Sequence, residues 1–197
     1  RRSTSAGTVT LGGFFDGNDV MLFNLQNDGT FNVATGTVVQ ALGGFVSGTN
    51  NDTVLIGTDA ILSTNGAALT NSATGVIRGT GTLDLGTATL TNDGTIAPGT
   101  SIGTLSITGN LTQGSSGAID VELAGSSAGQ FDVLAVSGSA ALNGTLNVSY
   151  LSGYTPAVGA NHPVLTYASR TGTFTTINDA QSQTAIYGAT SFSLASV

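Results

Sequence analysis

The 197-residue chain contains no cysteine, no tryptophan and no lysine, only three prolines and a single histidine. Each absence removes a class of chemistry. Without cysteine there is no disulfide framework, no thiolate nucleophile and no thiolate metal site. Four arginines, Arg1, Arg2, Arg78 and Arg170, are the whole cationic complement against 11 carboxylates, giving a net charge of −7. Such a surface repels phosphate backbones and anionic headgroups, because too few cations are present to replace their counterions. Nucleic acid is therefore excluded as a partner. No stretch approaches the roughly 20 consecutive apolar residues of a membrane-spanning helix, so membrane insertion of this segment is not expected. The sequence shows neither an initiator Met nor a signal peptide, and the expectation is a mature product or a piece of a longer protein.

What fills the space is small and polar. Glycine (29), threonine (31), serine (20) and asparagine (14) make up close to half of the chain. The remainder is rich enough in Val, Ile and Leu to bring the hydrophobic fraction to 40%, which argues for a folded domain over a disordered linker.

The placement of these residues is periodic. The segments LTNSATGVI (69–77), LTNDGTIAP (90–98) and LTQGSSGAI (111–119) begin 21 residues apart, and LQNDGTF (25–31) and TNNDTVL (49–55) repeat the pattern upstream. Aligning Asn27, Asn51, Asn71, Asn92 and Gln113 gives steps of 24, 20, 21 and 21 residues. Between these marks lie short alternating segments such as 81–85 and 103–107, bounded by Gly, Asn, Asp and Ser. Frequent glycine opposes helix by ~1 kcal/mol at each interior position, while Thr, Val and Ile suit a pleated surface.

A period near 21 residues with two or three strands is one coil of a parallel β-helix. Coils ~4.8 Å apart would stack Ile77, Ile96 and Ile119 into one interior column. The aligned asparagines read as a hydrogen-bonded ladder at a tight turn, or as a polar stripe that binds sugar or metal.

From residue 92 onward the sequence becomes more specific. Gly94, Ile96, Pro98, Gly99, Ser101, Gly103, Leu105, Gly109 and Asn110 form one run; Asp132, Leu134, Val136, Gly138, Ala140, Leu142, Gly144, Leu146 and Val148 form a second. Together with GYTPAVGANHPVL (153–165), they resemble the end of an autotransporter passenger and related bacterial surface proteins, over roughly residues 69–177. The resemblance implies a secreted or surface-displayed right-handed β-helix whose terminal region nucleates folding and caps the rod. The family's carboxy-terminal membrane barrel has no counterpart within these residues.

Both runs have a physical reading of their own. Pro98-Gly99 suits a tight turn, with Ser101 placed to hydrogen-bond nearby backbone. Asn143-Gly144 is the dipeptide of a two-residue hairpin, expected to switch the sheet to antiparallel strands and hide its edge. The expected organisation is an all-β right-handed parallel β-helix of coils over 1–125, continuous with a capping region over 126–197 that carries a C-terminal antiparallel hairpin.

Signals for chemistry are thin. His162, before Pro163 in a turn-like segment, reads as an ordinary loop histidine, and no GxSxG elbow accompanies it. Asp120 and Glu122 share one strand face with Cα atoms ~6.5 Å apart, which would permit a glycosidase pair. A lyase would need a cation, and only Arg78 and Arg170 could serve. Asp16, Asp19 and Asp52 lie in segments similar to single units of a calcium-binding nonapeptide repeat, but such units act consecutively. Tyr150, Tyr154 and Tyr167 form the one local aromatic cluster. The sequons at Asn51, Asn110, Asn143 and Asn147 match the frequency expected by chance. No residue is assigned a catalytic, cofactor-binding or metal-binding role.

The function expected from these features is that of a non-catalytic, extracellular structural or adhesive module of a bacterial surface or biofilm-matrix protein. Self-association into a homopolymer by strand addition through Thr8–Leu11 and Thr190–Leu194 is one expected partnership. A cell-surface or matrix polysaccharide is the other. The alternative is a polysaccharide-binding or polysaccharide-degrading β-helix.

Overall fold

The computed structural model describes residues 3–5, 9–11, 20–21, 25–41 and 47–197, with side chains described over 26–40 and 47–197. Among the described residues there is no α-helix, only a 3-10 turn at Leu151–Gly153. Everything else regular is strand, and the architecture is the parallel β-solenoid that the repeat predicts.

Each coil contributes three strands, as in Ala68–Asn71, Val76–Gly79 and the start of Thr82–Asn92. The middle strands stack into an eight-stranded sheet. The other two sides belong to one fifteen-stranded sheet, because Thr82–Asn92 and Thr104–Gln113 each run from one side to the next. Their mutual register shifts between Asp84 and Thr89, where the corner is turned.

Alternation within each strand sends every second residue inward. The interior is therefore a set of apolar columns, one residue per coil. One column runs Phe31, Val54, Ile77, Ile96, Ile119, Leu146 and Ile177 in continuous register. The expected stack of Ile77, Ile96 and Ile119 lies within it, wholly buried. A second column holds Leu69, Leu90 and Leu111, and a third Leu62, Leu83 and Ile107. Each such side chain contributes ~1.5–3 kcal/mol by leaving water, and only the neighbouring coils provide its cover.

The asparagine ladder is real but one rung differs from the sequence alignment. Asn27, Asn50, Asn71, Asn92 and Gln113 form it, not Asn51. In the strand Ser47–Asn50 the alternation points Asn50 inward, while Asn51 stands outside at the corner and donates Nδ2–H to Asp28 Oδ1 at 2.7 Å. The steps become 23, 21, 21 and 21 residues.

The hairpin expected at Asn143-Gly144 is also placed differently. Ser139–Leu142 and Thr145–Tyr150 pair in parallel with strands of adjacent coils and not with each other. Gly144 has φ of +61° and its N–H donates to Asn143 Oδ1, so the dipeptide turns a coil corner. A two-residue hairpin of this type would need positive φ at Asn143 as well, and of the two only Gly144 has it; the stacked coils on either side hold the corner instead.

The antiparallel cap comes later. Thr184–Tyr187 and Ser191–Ala195 form the hairpin, and its second strand runs antiparallel to Asn161–Thr166. Phe192 anchors it, fully buried, edge-on to Phe174 at 5.2 Å and 4.8 Å from the Tyr187 ring. The Arg170 guanidinium lies over Tyr187 at 4.9 Å, closing the Leu111–Ala140 column. Of the two segments expected to self-associate, Val9–Leu11 opens the eight-stranded sheet beside Phe31–Val33, and Ser191–Ala195 is the inner strand of the cap.

Candidate functional site

The most site-like feature is a groove of about 310 Å³ on the outer side of the eight-stranded sheet. Its floor is the solvent-facing register of that sheet: Arg78 pairs with Ala97, and Asp120 with Asn147. The expected pair Asp120 and Glu122 does lie on one face of Ala118–Leu123, both part-exposed in the groove wall. The structure brings the exposed Arg78 to the same groove, and with it a carboxylate that the sequence reading passed over, Asp132.

One rim is the loop after Pro98. Gly99 takes φ of +86°, and a Cβ there would lie 1.7 Å from the carbonyl oxygen of Ser101, so only glycine fits. Gly99 and Gly79 exchange backbone hydrogen bonds of 2.7 and 3.2 Å, pinning the loop to the coil beneath. The loop is fastened from the other side by Asp132, whose Oδ1 accepts from Gly103 N–H at 2.7 Å and Oδ2 from Glu122 N–H at 2.8 Å. Asp132 takes the bonding role that the sequence assigned to Ser101.

Asp132 is 1% exposed. Burial pushes its carboxyl up to about 7, against the Glu122 and Gly103 N–H groups that stabilise the anion, and the Glu122 charge adds to the rise. Asp120 is held differently. It accepts from Asn147 Nδ2–H at 2.7 Å, and Asn147 Oδ1 accepts from Asn178 at 2.7 Å, forming a short polar ladder on the outer surface. The groove thus offers a guanidinium, two water-facing carboxylates and a buried carboxyl that titrates near neutrality.

The other singled-out residues fall elsewhere. His162 is not a loop residue: it sits in the strand Asn161–Thr166 and is completely buried. Proline tolerates this strand position because it falls in the register irregularity between His162 and Leu165, where the ladder to Ser191–Ala195 is interrupted. The ring nitrogens are both engaged, Nε2 by the Tyr154 hydroxyl at 3.0 Å and Nδ1 by Gln183 Oε1 at 2.9 Å and Leu194 O at 3.2 Å. This arrangement fits the Nδ1–H tautomer, with Tyr154 as donor.

Gln183 in turn donates Nε2–H to Tyr150, and the Tyr150 hydroxyl donates to Asp179. Burial, with the Asp179 hydrogen bond next, raises the Tyr150 phenol above its ordinary range. Tyr150 and Tyr154 therefore serve the cap interior, 6.4 Å apart, while Tyr167 is buried and donates to Gly188 O. The three do not make an exposed row.

Arg170 belongs to the cap, remote from the groove, with its guanidinium donating to Gly172 O and Tyr187 O. Asp16 and Asp19 lie outside the described residues. Asp52 is exposed, and among the described residues no three His, Cys, Asp or Glu side chains converge on a metal position. The buried asparagines spend their amides on one another and on corner carbonyls, as Asn71 does with Gly75 O and Thr95 O, which leaves nothing for a ligand. Compared with known proteins, the chain matches no protein-family model and no curated protein sequence.

Proposed function

We propose that this chain is a non-catalytic structural or adhesive module of a bacterial surface or matrix protein, working outside the cell as a rigid β-solenoid. One observation carries the reading: the Phe31-to-Ile177 column continues without a break in register through seven positions, and the rod is then closed by an antiparallel hairpin. Such a rod transmits force and holds distance along its axis, which is what a stalk or scaffold requires. The resemblance of the second half to autotransporter passengers supports the same assignment. Antibody labelling of intact producing cells tests it. Surface labelling that is lost with protease treatment of whole cells is the expected result, and signal confined to the cytosol would overturn it.

The groove favours a second reading, the binding or degradation of a polysaccharide, because Arg78, Asp120 and Glu122 meet there. Affinity electrophoresis in neutral and uronate-containing polysaccharides tests it directly. Retardation that disappears in Arg78→Ala is expected under this reading, and unretarded migration in every polymer sinks it.

A further inference from the structure

The groove beneath the Pro98 loop has a neighbour. A second recess of about 330 Å³, walled by Asn32, Leu55, Thr58 and Thr80, opens on the same sheet toward the first coils, and Thr100 lines both. Their floors follow one outward register line. Asn32, Leu55, Arg78 and Ala97 pair in turn, Asp120 stands one position beyond the Ile96–Ile119 pair, and Asn147 comes next. At ~4.8 Å per coil, five such steps make a trough on the order of 24 Å long. That length suits an extended polymer laid along the rod and far exceeds a single sugar.

The charged groups of the trough leave each other unsatisfied. Arg78 is exposed with no hydrogen bond or ion pair among the described residues, and the Glu122 carboxylate has none either. Asp120 accepts from Asn147 at one oxygen only, and Asn178 fixes Asn147 from behind, so the carboxylate is oriented before any ligand arrives. Two coils, ~10 Å at Cα, separate Arg78 from Asp120, with the Ala97 methyl between them. A guanidinium can only donate and an ionised carboxylate can only accept, so a matching ligand needs acceptors at one point and donors a coil or two further on. Among the described residues no aromatic ring lines either recess, which leaves recognition to these polar groups.

We infer that the trough binds a partly N-acetylated polymer of amino sugars, the acetamide carbonyls accepting from Arg78 and the ammonium groups donating to Asp120 and Glu122. The inference rests on the reading of this groove as a polysaccharide site and names the class of sugar. Charge chooses among the classes. Two water-facing carboxylates stand against one guanidinium, on a chain of net charge −7, so a uronate polymer gains one contact and meets repulsion along the rest of the trough. A neutral polymer serves Arg78 but puts only hydroxyls against the carboxylates, without the stronger bonds an ammonium would make. A basic peptide serves the carboxylates and sets its remaining cations against Arg78.

Fluorescence anisotropy of end-labelled oligomers with the full 197-residue chain is the test, at mildly acidic pH and low salt. The probes are a partly N-acetylated glucosamine hexamer, its fully N-acetylated form, hexagalacturonate and hexalysine. The partly N-acetylated hexamer is expected to bind tightest. Asp120→Asn, Glu122→Gln and Arg78→Ala, each shown by circular dichroism to be folded, are expected to weaken it about tenfold, the worth of one hydrogen bond to a charged group. Asp52→Asn, which changes an exposed carboxylate outside the trough, is expected to leave binding unchanged. If no oligosaccharide binds, the polysaccharide reading and the inference fall together. If hexagalacturonate or the fully N-acetylated hexamer binds as tightly, through Arg78, the groove keeps its polysaccharide and the inference is overturned. Equally tight binding of hexalysine, or an equal loss in Asp52→Asn, overturns it as well, since either means attraction to acidic charge without recognition of a sugar.

Discussion

Asn71 donates Nδ2–H to Asn92 Oδ1 at 2.6 Å across 21 residues of sequence, and both side chains are wholly buried. That bond is the third of four rungs in a ladder whose inner amides each accept from the coil before and donate to the coil after. A buried amide is costly only when unpaired, so the ladder converts a run of polar residues inside the rod into a register lock. A one-residue slip would remove every rung together and turn every apolar column outward.

Asn92→Ala is therefore expected to be among the most damaging single changes. It orphans one Asn71 contact, the Gln113 Oε1 acceptor and the Ala118 carbonyl contact. At about 1–3 kcal/mol for a buried polar group left unpaired, the loss should exceed ~2 kcal/mol. Gln113 ends the ladder with a buried Nε2 that has no partner among the described residues. Gln113→Leu removes that orphan while costing Asn92 one of its acceptors, so its loss should be clearly smaller. Urea midpoints of the two variants, measured side by side, check the order.

Asp132 makes stability depend on pH in an uncommon direction. Its folded value of about 7 lies above its unfolded value near 3.8, so the native state holds the proton more tightly. The contribution is fully present below about pH 4 and is lost as pH rises through about 7, at up to ~1.4 kcal/mol per pH unit. Asp132→Asn removes the titration but places an N–H₂ against one of the two backbone donors. The variant should be less stable than wild type at pH 5 and close the gap by pH 8. Denaturation midpoints at the two pH values check this, and a gap that widens with pH would contradict it.

Two glycines separate space from conformation. A Cβ on Gly94 would meet Ser72 O at 2.2 Å and Gly75 O at 2.3 Å, although no left-handed φ is required there. Gly36 has φ of +69° and open space around it. Gly94→Ala must push two backbone segments apart and should lower the melting temperature severely or prevent folding. Gly36→Ala bears only the backbone penalty, ~1 kcal/mol. Thermal unfolding by circular dichroism distinguishes them.

Much of the rod was legible because it is written locally. Ile77, Ile96 and Ile119 are separated by a coil and flanked by turn residues, so period and alternation suffice to stack them. The doublet Asn50-Asn51 marks the limit: both residues fit the repeat, and only the inward phase of Ser47–Asn50 chooses between them. Asn143-Gly144 misled for a related reason, since a local turn signal does not say whether the next strand returns antiparallel or advances to the next side. Asp132 was out of reach because its meaning depends on Gly103, 29 residues away, and on burial that no short window reveals. His162 was hidden similarly, its partners Gln183 and Leu194 lying 21 and 32 residues downstream.

That histidine supplies the last expectation. It links the solenoid's final coil to the hairpin, with Nδ1 facing Gln183 and Leu194 and its ring edge-on to Phe131 at 5.6 Å and Tyr154 at 5.8 Å. His162→Phe keeps an aromatic ring against both neighbours but leaves Gln183 Oε1 without its donor and the Tyr154 hydroxyl without its acceptor. Gln183 also fixes Tyr150, so the disturbance should spread through the hairpin and stop at the ladder, which shares no bond with this network. Hydrogen exchange is expected to rise in 184–195 while amides of 69–113 stay protected. Equal loss of protection in both segments would mean that cap and rod unfold as one unit.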